Sequence, residues 1–160
     1  MPACHAGGRG FESLPDRHCI MIAEIVLQTA LAAIIGGIWL TPLVVGPAAR
    51  ASLDDQGRKY FLKSFFIRFN IFLIIMIAVY LGVFYFFILK EYEIFLSVTA
   101  NLIMTVLLFA NIFNLIISFF LDGSNEGLLS FKIFHSVSTF ILAVTSFASL
   151  YLLIEKFLII

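Results

Sequence analysis

Lys132, His135, Ser138, Thr139, Thr145, Ser146 and Ser149 are the side chains whose types and spacing best suit them to chemistry. On a helix turning 100° per residue they fall within an arc of roughly 140°, and the opposite side is mostly Phe, Ile, Leu, Val and Ala. An imidazole and an ammonium beside a row of hydroxyls could wall a pathway or pocket, with the histidine exchanging a proton near neutral pH. The competing expectation is structural: the hydroxyls bond their own backbone or let a neighbouring helix approach closely. Packing is favoured, because Ser and Thr are inexpensive in membrane helices and Lys132 can snorkel to water.

A second polar set, Asn101, Thr105, Asn111 and Asn114, lies one segment earlier. Helical geometry sets Asn101 and Asn114 about 140° apart, on different faces. Interhelical hydrogen bonding is therefore the expected role, at about 0.6 to 2 kcal/mol per bond. Asn101 facing the His135 row is the transport alternative. Arg68, where a basic segment enters an apolar run, completes the candidates. Other chemistries are poorly served. A haem held in the bundle would want two axial ligands, and the apolar runs hold one histidine, His135. Copper or zinc handling wants clusters of Cys, His or Met, whereas Met76 and Met104 stand alone. Neither a phosphate-cradling glycine loop nor a nucleophile elbow is present. No metal, cofactor or enzymatic activity of the chain alone is expected.

The elements that must position these residues follow from composition. Of the 160 residues, 62% are hydrophobic and 12% charged, against about 45–50% apolar and 25% charged in soluble domains. A small globule could not hide so much apolar surface from water. A net charge of +0 offers no field for nucleic acid. A spanning helix needs about 20 mostly apolar residues, and four segments qualify: residues 22–45, 65–89, 94–121 and 128–154. Pro42 and Gly46-Pro47 are expected to loosen and end the first. Thr29, Ala33 and Gly37, the Gly36-Gly37 pair, and Ala78 with Gly82 predict close helix packing.

Between spans one and two, Ser52-Leu53-Asp54-Asp55 fits a capping box that opens a helix in water. Phe61, Phe65 and Phe69 recur every fourth residue, predicting an amphipathic turn or two at the interface before the second span begins. This loop holds Arg50, Arg58, Lys59, Lys63 and Arg68, whereas the next holds only Lys90, beside two glutamates. The asymmetry places loop one–two in the cytoplasm and, with an even number of spans, both termini outside.

Residues 1–20 differ from the rest. They hold Cys4, His5, His18 and Cys19 without an apolar run, so they are not a signal peptide, and the spacing matches no zinc finger. Arg9-Gly10-Phe11-Glu12-Ser13-Leu14 can be back-translated as CGA GGG TTC GAA TCC CTC. In that string GAGGG pairs with CCCTC around TTCGAAT, the form of a transfer RNA T-arm. The favoured expectation is translation from Met21, with a transfer RNA gene overlapping the DNA upstream. The chain would then have no cysteine and one histidine.

Gly36-Gly37-Ile38-Trp39-Leu40-Thr41-Pro42, followed by Val45-Gly46-Pro47-Ala48-Ala49, resembles the first helix of the family catalogued as domain of unknown function 4149. That family is also described as transmembrane-protein-205-like and is distantly similar in layout to copper-resistance D membrane domains. Phe65-Phe66-Ile67-Arg68-Phe69 resembles its basic, phenylalanine-rich entry into helix two, and Lys132-Ile133-Phe134-His135-Ser136-Val137-Ser138 its helix-four start. Gln28 or Thr29 stands where a histidine is often found, which weakens any metal inference. The resemblance covers about 25–150 and implies a four-helix membrane bundle without established activity.

The expectation is thus an all-α integral membrane four-helix bundle in a bacterial cytoplasmic membrane. It would be non-enzymatic, acting as an accessory or interaction protein or a homo-oligomer. A transport component and the membrane anchor of a redox complex are the alternatives.

Overall fold

The computed structural model describes residues 15–89, 98–120 and 129–158. Its elements are α1 (Pro15–Leu40), a π-helical turn (Thr41–Val45), α2 (Gly46–Ser52), α3 (Asp55–Leu89), α4 (Val98–Phe120) and α5 (Leu129–Leu158). Within those stretches only Leu53 and Asp54 are not helical. Four helices are long and apolar enough to cross a membrane, and the chain is an all-α bundle of membrane-spanning helices. Cys4 and His5 lie outside the described residues, as do the side chains of His18 and Cys19, the 90–97 and 121–128 connections, and the ends of spans three and four.

The first span does not end at its prolines. The helix continues through Thr41–Val45 to Ser52. Pro42 lacks an N–H and crowds the preceding turn, and the backbone absorbs this by widening: the Gly46 N–H bonds the Thr41 carbonyl, five residues back. Thr41 Oγ1 donates to the Gly37 carbonyl (3.2 Å) and secures the turn before the bulge.

The capping box also differs from expectation. Leu53 is extended, and Asp54 rather than Ser52 caps α3: its Oδ1 accepts from Gly57 N at 3.2 Å and its carbonyl from Arg58 N at 2.9 Å. A Cβ on Gly57 would lie 2.6 Å from that Oδ1. Arg58 pairs with Asp55 at 2.8 Å on the exposed first turn. From there α3 runs unbroken for 35 residues, so the aromatic segment is the first part of the same helix that becomes the second span. Phe61, Phe65, Phe69 and Phe72 stack in sequence at 5.6–6.3 Å between ring centroids.

The helices form a ring in which α1 packs on α3 and α5, and α4 completes it between them, the up-down-up-down arrangement of a four-helix bundle. Leu27, Ile34, Leu73, Ile77 and Met104 fill the centre and are almost wholly inaccessible. Outside, large apolar side chains are exposed on every span, including Trp39, Ile75, Phe109 and Phe140. At most 39% of the most apolar stretch of any span is buried within the chain. Only hydrocarbon can cover the remainder at low cost.

Close packing uses fewer small residues than expected. Gly37 sits against Phe69, where a Cβ would come within 3.1 Å of the ring. Gly36 and Gly82 have nothing within 4 Å of that position and, like Thr29 and Ala78, face outward.

Candidate functional site

The polar residues of the spans divide into a hydrogen-bonded ladder inside the bundle and a cleft at the end where α3 and α5 begin. The ladder starts on α3 with Asn70, which is fully buried. Its Nδ2 donates to Ser118 Oγ of α4 (2.9 Å) and to the Phe66 carbonyl (3.0 Å), while its Oδ1 accepts from Asn114 Nδ2 (3.0 Å). Ser118 Oγ in turn donates to the Asn114 carbonyl at 2.9 Å. One turn further, Asn111 Nδ2 donates to Thr145 Oγ1 of α5 and to the Leu107 carbonyl, both at 2.9 Å. Thr145 returns its own proton to the Ile141 carbonyl (2.8 Å). An amide offers two donors and an acceptor, so one asparagine can hold its own helix and a neighbour at once.

These bonds give Asn111 and Asn114 the interhelical role expected of them. Asn70, which contributes the most bonds, was missed. It stands two residues after Arg68 in a run whose hydropathy is otherwise unbroken, and its polarity alone was the available signal. Within the ladder Asn111 Oδ1 and Asn114 Oδ1, and elsewhere Asn101 Oδ1 and Ser149 Oγ, are buried without a hydrogen-bond partner. Buried polar atoms of this kind are ordinarily satisfied.

The cleft has a volume of about 60 Å³. Its polar wall is Lys63 of α3, Ser118 of α4, and His135, Ser138 and Thr139 of α5; Phe66 and Leu142 supply the apolar part. Phe66 and Ser118 also belong to the lowest rung of the ladder, so the cleft adjoins the Asn70–Ser118 bond. Thr139 Oγ1 donates to the His135 carbonyl at 2.9 Å.

Of the sequence candidates, His135, Ser138 and Thr139 meet in this cleft. Lys132 and Arg68 are exposed and do not line it. Asn101 does not join the cleft either: it is separated from Ser118 by 17 positions of α4, or roughly 25 Å of helix. The expected continuous polar face of the last helix is thus split: Ser138, Thr145, Ser146 and Ser149 are buried, while Lys132, His135 and Thr139 are exposed. Lys63 was seen in the sequence only as one charge of a basic loop, because its nearness to His135 depends on how α3 and α5 are placed across the ring. No protein-family model, curated protein or solved structure matches the chain.

Proposed function

We propose that the chain is a non-enzymatic, multi-pass protein of the bacterial cytoplasmic membrane that acts as an accessory or interaction partner of other membrane proteins. Its basic end faces the cytoplasm and both termini face outward. The observation that carries this reading is the ladder: Asn70, Asn111, Asn114, Ser118 and Thr145 bond one another and their own helices. A solute route needs interior polar groups free to exchange partners with its cargo, and each of these five residues donates to a neighbour, leaving only the Asn111 and Asn114 Oδ1 atoms of the ladder without a partner. Membership of the domain-of-unknown-function-4149 family belongs to the same proposal, supported by the four spans and by the 36–42 and 132–138 segments.

Purification from native membranes in mild detergent tests it, with the mass of the particle and its absorption spectrum recorded together. A complex with other membrane proteins, free of cofactor bands, is expected. A particle containing only this chain would refute the accessory role, and cofactor bands seen only with a partner would favour the redox anchor.

The cleft favours a second reading, a solute or ion pathway entered between Lys63 and His135. In vesicles, that reading predicts a flux that His135→Ala alters. Under the accessory role no flux is expected, and the His135→Ala chain assembles normally.

A further inference from the structure

We propose that the cleft between α3, α4 and α5 binds a phosphate group, and that in the membrane this is the headgroup phosphate of an anionic phospholipid. The proposal rests on the bundle being embedded in lipid, not on its accessory role.

Three independent observations point there. The first is depth. A hydrocarbon core about 30 Å thick takes up about 20 helical residues. Counting back that far from Phe86, the end of the second candidate span, reaches Phe66, and counting back from Glu155, the end of the fourth, reaches His135. Lys63 lies three residues before Phe66, roughly 4.5 Å further out. The cleft therefore sits at the boundary between acyl chains and headgroups.

The second is charge. The lining holds one ammonium, one imidazole and three hydroxyls, and no carboxylate. Basic pockets between spanning helices favour lipid phosphates for this reason.

The third is Ser138. The residue as a whole is only 7% exposed. Thr105, Ser118, Thr139 and Thr145 all donate to the carbonyl four residues back, the usual refuge of a hydroxyl in a helix. Ser138 makes no such bond, and among the described residues its hydroxyl has no hydrogen-bond partner while lining the cleft. Its oxygen reaches the cleft and is not among the fully buried unpartnered atoms, so the hydroxyl is free to donate to an anion there. Lys63 and His135 each engage another group already, so the phosphate would share or replace those contacts. Phe66 and Leu142 place apolar surface beside the polar wall, as a lipid's glycerol region requires.

The full chain in mild detergent, offered phosphatidylglycerol and examined by native mass spectrometry, tests the site. The wild type is expected to retain the lipid, with retention falling about tenfold in Lys63→Gln and in Ser138→Ala, the loss of one hydrogen bond to a charged group. Arg68→Gln, outside the cleft, should retain it like the wild type. Ser138→Ala changes little volume and keeps the test open if Lys63→Gln does not fold. Inorganic phosphate that displaces the lipid from the wild type would support the site and reassign its ligand to the soluble anion. Equal loss in Arg68→Gln and Lys63→Gln, or unchanged retention in Ser138→Ala, would overturn the proposal.

Discussion

Asn70 makes three side-chain hydrogen bonds, two of them to α4, at a position with no access to solvent. Truncating it removes the bonds and leaves the Asn114 amide without its acceptor, so Asn70→Ala should destabilise the bundle by about 1–3 kcal/mol. Thr139 is exposed and bonds only its own helix, so Thr139→Ala should stay within about 0.5 kcal/mol. Unfolding in mixed micelles by added denaturing detergent would compare the two, and equal stabilities would deny the ladder its structural role. Adjacent glycines provide a second contrast. Gly37 faces the Phe69 ring, itself stacked between Phe65 and Phe72. The ring has little room to yield, and Gly37→Ala should cost about 1–3 kcal/mol through overpacking. Gly36 meets nothing, and Gly36→Ala should be neutral or stabilise by up to about 1 kcal/mol through helix propensity.

Among the elements, α3 depends on one cap. Asp54, not Ser52, receives the amide of the first turn, so Asp54→Ala should cost about 1 kcal/mol. Hydrogen exchange at residues 55–58 should quicken in that variant and remain unchanged in Ser52→Ala. The reverse pattern would restore the capping box read from the sequence. The bulge in the first span makes a separate point: a proline marks a disturbance of the helix, but whether the chain ends there or widens to a π turn depends on what the next residues pack against. Here Ala49 is buried and α2 lies on α3, which rewards continuing the helix.

For the molecule as a whole, the outward apolar side chains predict that the protein stays in the membrane fraction under alkaline wash and needs detergent to remain dispersed. Dispersal and folding in plain buffer would contradict the embedded bundle. The proposed orientation predicts that, with Cys4 and Cys19 replaced, Ser52→Cys is modified by a membrane-impermeant thiol reagent only after the cells are opened. Modification in intact cells would reverse it.

Sequence alone determined that four segments are too apolar for water, that the second helix begins before its span, and that the last helix has a polar side. Hydropathy and periodicity are sums over neighbouring residues, so these properties are legible without knowing where any other segment lies. It also marked His135, Ser138 and Thr139, because helical spacing is local. Tertiary structure decided that Asn70 is the centre of the ladder, that Gly36 and Gly82 face outward, and that Lys63 of one helix lines the same cleft as His135 of another while Asn101 does not. Each of those outcomes depends on the rotation and depth of one helix relative to the next. Those are set by the packing of Leu27, Ile34, Leu73, Ile77 and Met104 at the centre, a property that no single segment carries.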